Sequence, residues 1–547
     1  MRIRLILAAI SLGLASPQLA PRAIAQAAPA EPVFTAQGIK AHVDFLADDL
    51  LEGRNAGTRG HEIAARYVAT RFEALGLKPG GPDGSWYQQV ALGDFALDDA
   101  RPPSLSVGAT RFANGDAVLI GPSPSFGNTE QKVAGAAMFA GYGLDSDYQG
   151  LDVTGKFAVV LTGVPHGLTG EATYAAERED KAAIAGRHGA IGLLYLVGPD
   201  PRGFSWSGAA DYYLRAQTAW LGPANTPYGV DPGLRIGGYG NSAVARALFA
   251  GAPMTADQMF EAAARPGPLK GFALKPRLTM ARTSKVRIVH SPNVIGILPG
   301  SDPALASEYV MLSAHLDHEG TDPNLPGLDK IYNGAMDNAA GVATMLEAAR
   351  AFAESGRPPR RSILFVALTA EEDGLLGSEY LAHYPVTGAG KVVADVNLDM
   401  PILLYDFKDV VAFGAEHSTL GPIVARAAAR MGVTLSADPM PEEQFFVRSD
   451  HYSFVKAGVP SVFLMTGFAN GGEKAFRNFL ATHYHKVSDQ PGQAFDWQAG
   501  AKFAQINYLI AREIADGAEA PRWYEGNPYG DRFAPGQPRA PRPVVKP

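Results

Sequence analysis

Two apolar segments, each followed directly by acidic or imidazole side chains, constrain the fold of this chain most strongly. Residues 309–313 lead into His315 and Asp317, and residues 363–368 lead into an acidic pair at 371–372. In an α/β sheet, residues just beyond the strand ends gather along one edge, where binding sites form. The pattern therefore predicts an α/β fold with an imidazole and several carboxylates at one sheet edge, as is typical of a metal site.

Further segments supply side chains of the same kind. Asp337 precedes a helical pattern, Asp399 ends another apolar run, and His485 precedes the last helical segment. Taken alone, Asp337 could be a helix N-cap and the acidic pair at 371–372 could be a solvated turn. An aspartate after an apolar strand, however, is costly to bury unless it is paired or bound to metal. The order and strand-end placement of these residues together favour the metal site.

Length, charge and cysteine content limit the remaining possibilities. A chain of 547 residues is too long for one core and predicts two or more domains. A formal net charge of −7 argues against a nucleic-acid-binding surface. The absence of cysteine excludes disulfides and thiolate ligands. Any metal must therefore be held by nitrogen and oxygen atoms.

The N-terminus has the pattern of a secretory signal peptide. Arg2 and Arg4 precede an apolar segment, 5–15, that is too short to span a bilayer comfortably, and a small-residue cleavage pattern ends at Ala25. No other apolar run is long enough to cross a membrane. We expect cleavage of residues 1–25 and a periplasmic or secreted bacterial protein.

Composition divides the rest of the chain into four parts. Residues 33–106 begin with two helical patterns, and residues 107–262 have the short apolar runs and many glycines of an inserted β-rich domain. Residues 276–516 alternate strand and helix patterns, as a mostly parallel sheet would. Residues 517–547 are rich in Pro, Gly and Arg and predict an extended or disordered tail.

The motifs as a set resemble the co-catalytic zinc exopeptidases of metallopeptidase family 28. The matching segments are Ser-Ala-His315-Leu-Asp317-His, Asp337-Asn-Ala-Ala-Gly341, Glu371-Glu372 followed by Gly-Leu-Leu-Gly-Ser378, Asn-Leu-Asp399, Arg448-Ser-Asp450-His451 and Tyr484-His485-Lys-Val-Ser-Asp489. The resemblance implies a mostly parallel α/β sheet flanked by helices, formed by residues 33–106 and 276–516. On Gly141-Tyr-Gly143 and Asp152-Val-Thr-Gly-Lys156, the insert resembles a protease-associated domain.

Carried onto this sequence, the family pattern implies two zinc ions and a general base. His315, Asp337 and Asp399 would bind one ion, and Asp337, Glu372 and His485 the other, with Asp337 bridging. Glu371 would be the general base, and Asp317 would orient His315. His318 and His483 are nearby alternatives, but the family position favours His485.

The resemblance implies a hydrolase that removes N-terminal residues from peptides, an aminopeptidase. Arg448, Asp450, His451 and Tyr484 are candidates for binding the peptide substrate. Three alternatives stay open: a carboxypeptidase of the same fold, for which Arg448 would bind the free carboxylate, a one-zinc glutaminyl cyclase, and a metal-free binding protein. The intact ligand positions favour the two-zinc enzyme, and the oligomeric state is not predicted.

Overall fold

The computed structural model describes residues 31–123, 129–168, 176, 180–198, 206–229 and 233–543. The predicted signal peptide, residues 1–25, lies outside the described residues. No helix among those described is long and apolar enough to cross a membrane.

Strands form two sheets that share one long strand. In chain order the strands are β1 Lys78–Pro79, β2 Tyr87–Leu97, β3 Ser104–Val107, β4 Thr110–Ala113, β5 Val118–Leu119, β6 Glu130–Phe139, β7 Phe157–Leu161, β8 Gly192–Leu196, β9 Gln217–Trp220, β10 Ile236–Gly240, β11 Phe272–Leu298, β12 Glu308–His315, β13 Gly320–Thr321, β14 Ile331–Tyr332, β15 Ser362–Leu368, β16 Lys391–Leu398, β17 Asp409–Phe413, β18 Thr434–Ser436 and β19 Ser461–Thr466. The short β13–β14 pair is separate from both sheets.

Three of the helices pack together over the central sheet. In chain order they are α1 Ala36–Leu46, α2 Arg59–Ala74, α3 Lys181–Arg187, α4 Trp206–Tyr213, α5 Ser242–Leu248, α6 Ala256–Ala263, α7 Ala340–Glu354, α8 Leu376–His383, α9 Leu420–Ala429, α10 His451–Lys456, α11 Gly472–Thr482, α12 Trp497–Asp516 and α13 Pro528–Phe533. Of these, α1, α7 and α12 contact one another.

The central sheet confirms the predicted α/β fold. Strands β15, β12, β16 and β19 are neighbours in that order and run parallel, whereas β11 and β17 flank them antiparallel, so the whole sheet is mixed. Every residue of β15 is buried, as expected for a parallel strand covered by helices on both faces. Val310 and Leu312 of β12 join the large core under α1, α7 and α12, and Met311 packs on the opposite face with Leu381 of α8.

The inserted part of the chain forms the second sheet. Strands β6, β7, β8 and β10 are neighbours in that order and run parallel to one another. Strand β11 pairs antiparallel with β6 and with β3. The predicted insert boundaries, 107–262, are too narrow, because β3 begins at Ser104 and residues 272–283 of β11 pair within this sheet. The same strand continues into the central sheet. One continuous strand therefore connects the two units.

The C-terminal segment is ordered, so the predicted extended or disordered tail is wrong for residues 517–543. Trp523 is fully buried, and its indole Nε1 donates a hydrogen bond to the carbonyl of Gly458 at 3.0 Å. The segment also forms α13, capped by the side chain of Asn527. The Pro, Gly and Arg content is consistent with the absence of long helices and strands in this segment. Its buried aromatic side chains nevertheless hold it against the catalytic unit.

Candidate metal centre

Register in the parallel strands places the candidate ligands at one edge of the central sheet. His315 is the last residue of β12 and lies beside Leu368, the last residue of β15. In the next strand, Leu398 ends β16 and Asp399 follows directly. The carboxyl ends of these three strands thus deliver an imidazole, a carboxylate and the segment of the acidic pair to the same edge, as the sequence predicts.

One group of candidate ligands surrounds the His315 ring. Its Nε2 lies 3.2 Å from Oδ1 of Asp337 and 3.2 Å from Oδ1 of Asp399. All three residues are buried. Asp337 reaches this position from the turn before α7, where its backbone N–H donates to the carboxylate of Asp489 at 3.0 Å. A strand end and a helix start therefore meet at one small polar volume.

A second group surrounds the His485 ring. Its Nε2 lies 3.3 Å from Oδ2 of Asp337 and 3.1 Å from Oε2 of Glu372. The two carboxylate oxygens of Asp337 thus face different groups, Oδ1 towards His315 and Oδ2 towards His485. This is the arrangement that a bridging carboxylate between two cations requires.

The electrostatics of the cluster favour a bound cation. Burial disfavours the ionised form of Asp337, but the adjacent imidazoles of His315 and His485 lower its pKa well below the usual value. Burial opposes protonation of His485, but contacts with Asp337, Glu319 and Glu372 raise its pKa well above the usual value. Closely spaced buried carboxylates are costly unless positive charge compensates them. The imidazole and carboxylate donors fit zinc, which binds nitrogen and oxygen ligands in this combination.

Glu371 lies beside both groups, with a carboxylate oxygen within 4.8 Å of ligand atoms of His315 and Glu372. Burial, together with the neighbouring carboxylates of Glu372 and Asp399, raises the pKa of Glu371 well above its usual value, although His315 opposes the shift. A carboxylate with a raised pKa can accept a proton and hold it, which is what a general base near neutral pH needs.

Asp317 contacts the site differently from the sequence expectation. The Nδ1 atom of His315 lies 3.2 Å from the backbone carbonyl of Asp317, whereas the carboxylate is 4.0 Å away. That carboxylate accepts hydrogen bonds from the backbone N–H groups of Glu371 at 3.1 Å and Glu372 at 3.2 Å. Burial raises the pKa of Asp317 to about 7. Asp317 therefore supports His315 through its backbone and the acidic pair through its side chain.

Three polar side chains that the sequence did not assign contact the candidate ligands. Nδ1 of His318 lies 2.6 Å from Oε1 of Glu372, and Oε1 of Glu319 lies 3.1 Å from Nδ1 of His485. The hydroxyl of Ser449 donates to Oδ2 of Asp399 at 2.7 Å. His318 and Glu319 follow the His-x-Asp motif directly, and this position is the only signal in the sequence that could have identified them.

Arg54 organises the backbone beneath the site. Its buried guanidinium donates to the carbonyls of Leu316 at 2.9 Å, Asn333 at 2.6 Å and Gly334 at 3.0 Å, and also to that of Leu46. Burial lowers the pKa of Arg54 to about 10. Because these carbonyls precede two acidic residues of the site, one side chain fixes both loops relative to the N-terminal helices.

The four predicted substrate-binding residues do not share one surface. Asp450 and His451 are fully buried, and His451 packs against the rings of Phe446 and Phe463. Neither side chain is exposed, so their assignment as substrate contacts stays a prediction without support from the geometry. Burial raises the pKa of Asp450 to about 7 and lowers that of His451 to about 3.

The other two candidates differ from each other. Arg448 is exposed and pairs with the carboxylate of Glu443 at 3.1 Å. The ring of Tyr484 lies against that of His485, with centroids 4.0 Å apart and the ring planes inclined at 40°, and burial raises the pKa of Tyr484. Of the four, the structure therefore brings Tyr484 directly against a candidate ligand.

Known proteins are similar to this chain in the segment that carries the candidate ligands. Residues 293–511 match the model of Peptidase family M28, which confirms the family resemblance for the segment that carries every candidate ligand. A probable zinc metalloprotease of Pyrenophora teres f. teres (strain 0-1) is 36% identical over 114 residues, which are 20% of this chain and 23% of that protein. Leupeptin-inactivating enzyme 1 of Streptomyces exfoliatus is 28% identical over 211 residues, 37% of this chain and 41% of that enzyme.

The chain thus aligns with less than half the length of these curated relatives. A solved structure described as an aminopeptidase from Aneurinibacillus sp. strain AM-1 is similar over 89% of this chain and 95% of its own, with a TM-score of 0.51 and 18% identity. At that identity the similarity establishes a common fold.

Proposed function

We propose that the M28-type segment, residues 293–511, makes this chain a zinc-dependent aminopeptidase that hydrolyses N-terminal residues from peptides. The observation that carries the proposal is the division of Asp337 between two groups, with Oδ1 towards His315 and Oδ2 towards His485. A carboxylate shared in this way supports two adjacent cation positions rather than one.

The proposed ligands are His315, Asp337 and Asp399 for one zinc ion and Asp337, Glu372 and His485 for the other. Two zinc ions in these positions would polarise the scissile carbonyl and lower the pKa of a shared water. The protein side chains hold the donors in place: Asp489 accepts from the N–H of Asp337 at 3.0 Å.

Glu371 is the proposed general base. It takes a proton from the attacking water and returns it to the leaving amine nitrogen. Its raised pKa suits both halves of this transfer. The carboxylate of Asp317 accepts a hydrogen bond from the backbone N–H of Glu371 at 3.1 Å and thereby helps to hold Glu371 in position. The ring of Tyr484 lies against that of His485, with centroids 4.0 Å apart, and this contact supports Tyr484 as the proposed substrate-binding side chain.

The alternative functions receive less support from the contacts. A carboxypeptidase would need a cation for the substrate carboxylate, and the candidate Arg448 is engaged with Glu443 at 3.1 Å. A glutaminyl cyclase with one zinc leaves the second group of ligands unexplained, and a metal-free binding protein leaves both unexplained. We retain the periplasmic or secreted location and the protease-associated insert as proposals, the first supported by the sequence of residues 1–25 and the second by the glycine and aspartate motifs of the insert.

Mass spectrometry of a defined peptide mixture, incubated with the purified protein with and without a chelator, tests this function. Peptides shortened from the N-terminus only in the absence of chelator are expected. Glu371→Gln is the control, because it preserves the shape and the metal ligands while removing the base. Shortening from the C-terminus, ammonia loss from N-terminal glutamine, or no change with zinc added would each replace the aminopeptidase with the corresponding alternative.

A further inference from the structure

The insert contacts the catalytic unit next to the candidate metal centre. Strand β9 belongs to the insert by sequence, yet it pairs antiparallel with β2 of the central sheet. Its last residue, Trp220, is buried and donates from Nε1 to Glu379 of α8 at 3.1 Å. This strand fixes the preceding residues, including Arg215, against the catalytic unit.

Glu319 lies between Arg215 and the candidate ligand His485. Its Oε1 is 3.1 Å from Nδ1 of His485, and its Oε2 is 4.0 Å from Nη1 of Arg215. The Nδ1 atom is the ring nitrogen opposite Nε2, which faces Asp337 and Glu372. Glu319 therefore contacts the far side of the imidazole and leaves the ligating nitrogen free to face the metal position.

His485 needs such support more than His315 does. It lies in a turn with φ of 51°, a left-handed conformation that non-glycine residues rarely adopt. Its side chain is 34% exposed, whereas that of His315 is 1% exposed. A carboxylate on the far nitrogen of a ligating histidine fixes the tautomer and ring orientation and increases the basicity of the ligand.

We propose that Glu319 is a positioning residue that orients His485 for metal binding, and that Arg215 couples this orientation to the insert. The proposal rests on the proposed two-zinc site and assigns the insert a defined physical effect on it. Arg215 is 62% exposed, so its contribution should be small and sensitive to salt. Glu319 acts at hydrogen-bond distance and should contribute more.

The test measures zinc affinity of the full chain by competition with a chromogenic chelator, resolving the two ions. Glu319→Ala should lower the affinity for the ion held by His485, the labile ion, about 10- to 100-fold and leave the affinity for the ion held by His315 unchanged. Glu319→Gln, whose amide oxygen can still accept from Nδ1, should fall between the wild type and Glu319→Ala. Thermal melting of the metal-free variants should match the metal-free wild type, because the proposed role concerns the ligand and not the fold.

Arg215→Ala tests the coupling, with Arg187→Ala as the matched control. Arg187 is also on the insert, also 62% exposed, and lies 4.0 Å from a carboxylate of Asp145. At low salt Arg215→Ala should lower the affinity for the labile ion by about fivefold or less, and high salt should remove this effect. Arg187→Ala should have no effect at either salt concentration.

The outcomes separate failure of this inference from failure of the proposed function. If wild-type protein binds two zinc ions and cleaves peptides but Glu319→Ala keeps both affinities, the positioning role is wrong and the function stands. Equal weakening of both ions, or a lower melting temperature without metal, would show a general structural role for Glu319. If Arg215→Ala and Arg187→Ala have the same zinc affinities at low salt, Arg215 does not couple the insert to His485. A wild type that binds no zinc would contradict the proposed function itself.

Discussion

The two halves of the candidate metal centre are built on different kinds of structure. His315 ends a buried strand and its side chain is 1% exposed, and Asp399 follows the end of the adjacent parallel strand. His485 lies in a left-handed turn after α11 and is 34% exposed. Only Asp337 belongs to both halves.

This difference predicts unequal metal binding. Strand ends in a covered sheet cannot move without disturbing the core, whereas a turn can open at little cost. We therefore expect a tightly held ion on the His315 side and a labile ion on the His485 side. Equal affinities for the two ions would contradict this expectation.

The largest expected effect is a loss of turnover in a variant that keeps both halves of the metal centre intact. Glu371→Gln should lower kcat by about 10²- to 10⁴-fold, because it removes the proton acceptor while preserving the size of the side chain. Zinc content, measured by inductively coupled plasma mass spectrometry, should stay at the wild-type value. A variant with wild-type turnover would exclude Glu371 as the base.

Exposed Glu354 provides the matched control. It pairs with Arg350 at the end of α7, away from the sheet edge. Glu354→Gln makes the same chemical change on the surface and should leave kcat unchanged. Loss of turnover in this variant as well would indicate an effect of charge in general rather than of the base.

The next effect distinguishes the two halves directly. His485→Ala should retain one zinc ion with the affinity of the tight wild-type position, because His315, Asp337 and Asp399 remain. His315→Ala should retain one weakly bound ion, because the remaining group rests on the exposed turn. Equilibrium dialysis against graded chelator concentrations measures both affinities. Equal affinities for the ion left in the two variants would contradict the comparison.

How far the sequence predicts this site depends on which contacts are local. The strand-end pattern predicts that His315, Asp399 and the acidic pair at 371–372 lie at one sheet edge, whereas the family resemblance implies how these residues, Asp337 and His485 divide between two ions. Glu319 and Ser449 could not be assigned, because each touches its partner through loops whose paths the sequence pattern does not determine. The sequence identifies the donors, and the structure adds what holds them.

Composition misled the prediction where packing overrides it. Residues 517–543 have the Pro and Gly content of a tail, yet the burial of Trp523 orders them. The neighbourhood of residues 450 and 451 in the sequence predicts substrate contacts, but both side chains are fully buried: His451 is the first residue of α10, and Asp450 directly precedes it. Local sequence pattern likewise does not predict the role of Arg54, because three of its four carbonyl partners, those of Leu316, Asn333 and Gly334, are far away in the chain.

A smaller effect is expected from the hydrogen bond that supports the buried half. Ser449→Ala removes the donor to Oδ2 of Asp399, at 2.7 Å, and should weaken the tight zinc ion about tenfold, at the lower end for loss of a partner of a metal ligand. The labile ion should be unaffected. Ser461→Ala removes another buried hydroxyl, which donates to the carbonyl of Val459, and should change neither affinity.

The smallest effect concerns a histidine that the structure removes from the site. Burial lowers the pKa of His451 to about 3, so the folded chain keeps it neutral while the unfolded chain protonates it below its ordinary pKa. The unfolded state then binds more protons, and stability falls as the pH decreases from about 6.5 towards 3. At pH 5.5 the loss from this one group should be about 1 kcal/mol relative to pH 8.

Urea denaturation of metal-free protein at pH 8 and pH 5.5 measures that loss without interference from zinc. His451→Gln cannot be protonated, so its decrease in unfolding free energy over this interval should be about 1 kcal/mol smaller than that of the wild type. Exposed His290 is the control, and His290→Gln should reproduce the wild-type decrease. An identical decrease in all three proteins would mean that His451 is accessible to protons in the folded state, and it would return this residue to the candidates for substrate binding.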